Sequence, residues 1–128
     1  MKTLATFAVL LLTACVAPIG TPSGRPEVVA RAPAAELVPR IQERMLATGY
    51  MQTNETSSML VFERPEPGLR AQLAVGGQPI RRVTFNLVKQ DDATHVLASV
   101  FLIGTSTMDC STAETARELN TWLQTLAQ

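Results

Sequence analysis

The sequence predicts a small α+β domain in the order α-β-β-β-β-α, an antiparallel four-stranded meander packed by two helices. Two segments carry apolar residues at helical spacing, and four strand-like runs lie between them. Short turns separate consecutive runs, which favours antiparallel pairing. The length of 128 residues suits one such domain. Because each helix is apolar along one side only, we expect both helices to pack on the sheet.

The first helix is predicted from about Ala35 to Thr48. Its apolar residues recur at three-to-four-residue spacing and form one stripe: Leu37 or Val38, Ile41, Met45 and Leu46. Proline is tolerated only in the first turn of a helix, so Pro39 predicts that the regular helix begins near Leu37. Gly49 follows where a left-handed cap would end the helix, and Tyr50 then starts an extended segment.

The four strand-like runs are residues 58–63, 69–75, 82–88 and 96–103. The third run alternates apolar and polar residues, with Val83, Phe85 and Leu87 on one face. Breakers separate the runs at residues 64–68, 76–79 and 89–93. These turns predict a meander in which consecutive strands are neighbours.

The final helix has a potential capping box, in which Ser111 precedes the helix and Glu114 follows three residues later. Asp109 adds a favourable negative charge near the helix N-terminus. The apolar stripe of this helix contains Ala116, Leu119, Trp122, Leu123 and Leu126. We therefore expect Trp122 to lie in the core.

The N-terminus has the pattern of an export signal. Lys2 supplies a positive charge, and residues 4–14 contain no charged side chain. As a helix these eleven residues would rise only about 17 Å, whereas the hydrocarbon core of a bilayer is ~30 Å thick. The segment is therefore too short for a permanent span and suits a cleavable signal peptide.

Leu12-Thr13-Ala14-Cys15 follows this apolar run and resembles the lipobox of bacterial lipoproteins. The resemblance implies a lipid on Cys15, cleavage after Ala14, and a signal peptide of residues 1–14. Two or three acyl chains would make the membrane anchorage stable. Val16 follows the cysteine, which by resemblance to the sorting rule of enteric bacteria favours the periplasmic face of the outer membrane over the inner membrane. The alternatives are an ordinary signal peptide with a free Cys15, and a Cys15–Cys110 disulfide.

Residues 15–33 are predicted to be the lipidated cysteine and a flexible tether, and residues 34–128 the folded domain. Prolines and glycines interrupt the tether, which as a coil would span roughly 25 Å. Alternatively, Glu27–Ala30 docks as an edge strand. Removal of Lys2 leaves 10 basic against 11 acidic residues, a net charge of −1. That balance argues against a nucleic-acid partner.

No constellation of residues predicts catalysis, a metal or a cofactor. His95 is the one histidine, and the aspartates nearby suggest a solvated turn. Cys110 lies where a helix N-terminus would lower a thiol pKa, yet a buried or unreactive cysteine explains it as well. The Arg81-Arg82 pair suggests a solvated strand face, and prolines beside Glu63 and Glu66 suggest an exposed loop. We therefore expect a protein that is not an enzyme.

The last strand-like run departs from simple alternation. Leu97, Phe101 and Ile103 lie on the face that should contact solvent in a two-layer domain. They predict an interaction patch for a partner protein or a second copy. The alternative is that the tether or the Tyr50–Ser57 connection covers these side chains.

Four blocks of the chain resemble small uncharacterised proteobacterial lipoproteins with a helix–meander–helix domain: Arg25–Glu27, Ala47–Tyr50, Leu60–Pro65 and Val83–Val88. This resemblance implies the fold and no reaction. We expect a membrane-anchored adaptor or envelope-assembly accessory that binds an envelope protein or itself. The alternative is a carrier or sensor of a small hydrophobic ligand, for which an apolar cavity of several hundred Å³ would be evidence.

Overall fold

One antiparallel sheet and two helices make up the part of the chain that the computed structural model describes, residues 19–66, 78–104 and 110–127. The elements are β1 (Glu27–Ala30), α1 (Ala34–Ala47), β2 (Met51–Glu55), β3 (Met59–Pro65), β4 (Ile80–Gln90), β5 (Ala93–Ile103) and α2 (Cys110–Leu123), followed by a 3-10 turn (Gln124–Ala127). The strand order is β1-β5-β4-β3-β2. The α+β class is confirmed, and the sheet has five strands where the sequence predicted four.

Three of the four predicted strands are present as β3, β4 and β5, and the predicted run at residues 69–75 lies outside the described residues. The two additional strands form at the edges of the sheet. β2 develops from the extended segment after Tyr50, and β1 is the edge strand that Glu27–Ala30 offered as an alternative to a tether. The folded part of the chain therefore begins before residue 34.

The outer edge of β1 is bonded to the C-terminal helical region. The backbone N–H of Glu27 donates to Asn120 Oδ1 at 3.2 Å, and Gln124 Nε2 donates to the Glu27 carbonyl at 2.8 Å. The opposite edge of β1 pairs with β5, where Val28 faces Val96. Asn120 and Gln124 thus form hydrogen bonds with backbone groups that an open sheet edge would present to another strand.

Helix α1 confirms the predicted stripe of Leu37, Ile41 and Met45, all buried, but Leu46 is exposed. The predicted start near Leu37 is wrong, because the helix begins at Ala34 and contains Pro39. Only the bond that Pro39 would donate is lost, and its acceptor lies in an exposed first turn open to water.

Gly49 ends α1 as the sequence predicted. Its φ of +90° lies in the left-handed region, where a side chain would be strained. The Gly49 N–H donates to the Leu46 carbonyl and the Tyr50 N–H to the Met45 carbonyl. This pair of bonds is the Schellman motif. It turns the chain so that Tyr50 enters the core.

The core lies between the two helices and one face of the sheet. Alternate residues of the strands point into it, and Phe62 and Phe85 meet edge-to-face with ring centroids 5.8 Å apart. From α2 and the 3-10 turn the core receives Leu119, Leu123 and Leu126. Trp122 is only partly buried, at the margin of the core, where the Arg44 guanidinium lies 5.8 Å from its ring centroid.

Helix α2 begins at Cys110, two residues earlier than a capping box with Ser111 as the N-cap requires. Ser111 lies inside the first turn, and its hydroxyl accepts a hydrogen bond from Arg81. Asp109 lies outside the described residues. Ser111 therefore contacts the sheet through Arg81 of β4.

Candidate functional site

The sheet surface opposite the helices carries the predicted interaction patch; we call it the outer face and define it by Ile80, Arg82, Leu97, Phe101 and Ile103. Phe101 is 52% exposed, and Leu97 and Ile103 are partly buried. Ile80 is 38% exposed and pairs with Ile103 across β4 and β5. The Tyr50–Ser57 segment does not lie between Phe101 and solvent, because it contains β2 at the far edge of the sheet.

One ion pair lies beside this apolar surface. Arg82 Nε and Glu63 Oε2 are 2.6 Å apart, and Arg82 stands opposite Phe101 in the register of β4 and β5. Exposed pairs of this kind contribute about 0–1 kcal/mol to stability. The pair gives the outer face a fixed polar feature among apolar side chains.

The segment before β1 folds onto the same sheet surface beside the patch, because Glu27 stands opposite Leu97 in the register of β1 and β5. Glu27 Oε1 accepts a hydrogen bond from the Ser23 backbone N–H at 2.6 Å, and Glu27 Oε2 lies 2.7 Å from His95 Nε2. Arg25 also donates to the Ser99 hydroxyl at 2.8 Å. These contacts hold residues 21–26, part of the predicted tether, against the sheet.

His95 therefore has a partner that sequence reasoning missed, because Glu27 lies 68 positions away. The Ser23 N–H lowers the pKa of Glu27, and the His95 bond contributes in the same direction. A metal site would need at least a third ligand, and no group of three or more His, Cys, Asp or Glu residues that could hold a metal occurs among the described residues. The Glu27–His95 pair therefore helps to hold the N-terminal segment against the sheet.

A buried ion pair lies on the opposite, helix-covered side of the sheet. Arg81 and Glu66 are 3% and 4% exposed, and Arg81 Nη2 lies 2.6 Å from Glu66 Oε1. Arg81 also donates to the hydroxyls of Ser111, at 2.7 Å, and Thr115. The expectations of a solvated strand face for Arg81 and an exposed loop for Glu66 are therefore wrong.

The alternation of inward and outward residues along β4 could have predicted that Arg81 is buried. It shares a strand face with Val83 and Phe85, which are fully buried. A charged residue at an inward position needs a partner, since an unpaired buried charge is costly. No such alternation predicted the burial of Glu66, because Glu66 follows the last residue of β3.

Tyr50 and Arg64 extend this buried pair into a cluster. Tyr50 is 5% exposed, the Arg64 guanidinium lies 4.6 Å from its ring centroid, and Arg64 Nη1 donates to the Thr48 carbonyl at 2.9 Å. We call Tyr50, Arg64, Glu66 and Arg81 the arginine–tyrosine cluster. Each has one buried polar atom without a hydrogen-bond partner: Tyr50 OH, Arg64 Nε, Glu66 Oε2 and Arg81 Nε.

Tyr50 should ionise at a pH above its ordinary range near 10. Burial disfavours the phenolate and raises the pKa of Tyr50, while the neighbouring arginines oppose part of that rise. The stabilising contribution of the neutral phenol is fully present below the unfolded-state pKa and is lost as pH rises through the folded-state pKa. Tyr50 is the only tyrosine, so ultraviolet difference absorbance reports it alone. A titration that matches the urea-unfolded chain would contradict this expectation.

Two concave regions have charged walls. A cleft of about 300 Å³ is lined by Arg40, Glu43, Arg44, Ala47 and Trp122. A cavity of about 130 Å³ lies beside the arginine–tyrosine cluster, and its walls are Arg44, Met45, Thr48, Tyr50, Arg64, Val83, Thr115, Glu118 and Leu119. Neither is the apolar cavity of several hundred Å³ that a carrier of a hydrophobic ligand needs.

Cys15, the predicted lipidation site, lies outside the described residues. Cys110 is the first residue of α2, and its side chain is also outside them. Within the described ranges, no helix is long and apolar enough to cross a membrane. A comparison with the known protein families and with curated proteins finds no match.

Proposed function

We propose that this chain is a lipid-anchored lipoprotein of the bacterial envelope with a non-enzymatic domain that binds a partner protein on its outer face. The observation that carries the proposal is the half-exposed Phe101, next to the Ile80–Ile103 pair on the sheet surface that the helices leave open. Single exposed apolar residues are ordinary, but neighbouring ones on an open sheet face are typical of interaction sites.

The anchor part of the proposal rests on Leu12-Thr13-Ala14-Cys15 at the end of an uncharged run. It would hold the domain at the periplasmic side of a membrane, the outer membrane by the Val16 criterion. Because residues 21–26 fold back onto the sheet, little free chain separates Cys15 from the domain. The partner would therefore be met close to the membrane surface.

The dimensions and chemistry of the outer face favour a protein as its occupant. β4 and β5 each have 11 residues, so they extend about 36 Å, and five strands are roughly 19 Å wide. Because β1, β2 and β3 have only 4, 5 and 7 residues and residues 21–26 lie over part of the sheet, the open area is smaller than this rectangle and suits an interface below the standard ~800 Å² per partner. Its apolar side chains beside the Arg82–Glu63 pair suit an apolar protein surface that has complementary polar groups opposite that pair.

Phe101→Glu should preserve the fold and weaken partner binding about 10- to 100-fold, because burial of such a side chain contributes ~1.5–3 kcal/mol. The measurement is crosslinking in cells from photoreactive groups on the outer face, at Ile80 and Ile103, with thermal unfolding measured in parallel. Leu46→Glu is the matched control, because Leu46 is 60% exposed on α1, away from the outer face.

Three results would contradict the proposal. A large fall in the thermal midpoint of Phe101→Glu alone would identify Phe101 as a core residue. Crosslinks that Phe101→Glu and Leu46→Glu change equally would show that the outer face does not select the partner. If crosslinks formed only to a second copy of the chain, the outer face would mediate self-association and would not bind a different protein.

A further inference from the structure

A second arginine lies close to the exposed ring of the outer face. Arg25 Nη1 donates to the Ser99 hydroxyl at 2.8 Å. Ser99 precedes Phe101 by two residues on β5, so both side chains point to the same sheet surface, with their Cα atoms about 7 Å apart. Arg82 stands opposite Phe101 on β4. Two guanidiniums therefore lie near Phe101, one from β4 and one from the segment before β1.

Hydrogen bonds hold Arg25 in this position. Its backbone N–H donates to the Ser23 hydroxyl at 3.2 Å, and its carbonyl accepts a hydrogen bond from the Thr21 hydroxyl at 2.6 Å. Two residues later, Glu27 pairs with Leu97 in the register of β1 and β5. The guanidinium is therefore positioned before anything binds, which lowers the entropic cost of using it in a complex.

The outer face has more accessible positive than negative charge around Phe101. Arg82 is paired with Glu63, whereas no carboxylate of the described residues forms an ion pair with Arg25. The nearest carboxylate along the chain, that of Glu27, is 7% exposed and already has two partners of its own. Two accessible guanidiniums against one accessible carboxylate leave an excess of one positive charge.

The remaining donors of Arg25 suit a carboxylate. A guanidinium carries several N–H donors in one plane, and the Ser99 hydroxyl accepts from only one of the two terminal nitrogens. A carboxylate accepts two parallel hydrogen bonds from such a group, which a single hydroxyl or amide oxygen does not. The half-exposed ring of Phe101 offers an apolar contact beside that carboxylate. The surface thus combines a cation and an apolar anchor.

We propose that the partner presents to the outer face an aspartate or glutamate beside an apolar side chain, and that Arg25 binds this acid while Phe101 contacts its apolar neighbour. The inference rests on the proposed function, because it names the chemistry of the partner at the same face. A layer of anionic lipid headgroups fits less well, since it would also bring phosphates against the Glu63 carboxylate, and like charges placed together are costly.

The test is crosslinking in cells from the photoreactive group at Ile103, in the full chain with a second substitution. Arg25→Glu should lower the yield of the partner crosslink about tenfold or more, because it places two carboxylates together. Arg25→Gln should lower it less, since it removes the charge without reversing it. Arg40→Glu is the matched control, because Arg40 is exposed on α1, on the helix-covered side of the sheet.

Ser99→Ala separates the charge of Arg25 from its contact with the sheet. This variant removes the hydrogen bond and keeps the guanidinium, so the crosslink should stay within about twofold of the wild type. A loss as large as that of Arg25→Glu would mean that Arg25 acts by holding the N-terminal segment, which overturns the proposal. The crosslinked peptide of the partner should contain the acid, and its replacement by lysine should restore the crosslink to Arg25→Glu.

The remaining outcomes distinguish this proposal from the function on which it rests. If both Arg25 variants crosslink like the wild type while Phe101→Glu does not, the outer face binds its partner without the acid, and this proposal alone is overturned. A crosslinked peptide without an acid, or a lysine replacement that restores nothing, has the same meaning. If the photoreactive group labels only phospholipid, the outer face contacts a membrane, and both proposals fail.

Discussion

Replacing Arg81 with methionine should lower the free energy of unfolding by about 3–5 kcal/mol, the usual cost of breaking one side of a buried ion pair. The Glu66 carboxylate would lose the cation 2.6 Å from it and would stay in a site that is 4% exposed. The hydroxyls of Ser111 and Thr115 would also lose a donor. Urea denaturation at neutral pH measures the change directly.

Two further variants test whether the loss of stability comes from the Arg81–Glu66 ion pair. Arg81→Met combined with Glu66→Leu removes both charges and should recover most of the loss, because a buried pair replaced by apolar residues is often neutral or stabilising. Arg82→Met tests the neighbouring arginine, whose exposed pair with Glu63 should contribute only about 0–1 kcal/mol. If Arg81→Met and Arg82→Met cost the same, or if the double variant recovers nothing, the buried pair does not have this role.

This pair also shows why the buried cluster was harder to predict than the strands. Alternation is a local property, so Val83 and Phe85 identified β4 without knowledge of any other segment. The partners of Arg81 come from β3's end and from α2, 15 and more positions away. A single sequence does not show which distant segments meet, so a buried charge looks like a solvated one.

The edge strand β1 illustrates the same limit. Four residues between prolines and glycines have weak local preference, and β1 forms because β5 pairs with it and because Asn120 and Gln124 bond its free edge. The Glu27–His95 contact depends on that pairing in turn. By contrast, the sequence placed Phe101 on the outward face of its own strand and left open whether another segment covers it; in the structure it is 52% exposed.

Cys15→Ser should abolish lipidation and leave an unprocessed precursor. The Cys15 thiolate is the sulfur nucleophile that would carry the diacylglyceryl thioether, and serine cannot form that bond. Without two or three acyl chains, each buried CH₂ of which contributes ~0.8 kcal/mol, the lipid anchor would be lost. The measurement is incorporation of labelled fatty acid, with the apparent mass of the product on a gel.

Cys110→Ser is the matched control, because Cys110 is the only other cysteine and should not be labelled. It should take up as much label as the wild type and reach the same membrane. Label retained by Cys15→Ser, or lost from Cys110→Ser, would show that the lipobox resemblance is accidental. Val16 predicts sorting to the outer membrane, so wild-type protein that fractionates with the inner membrane would reverse that assignment while leaving the lipid on Cys15 in place.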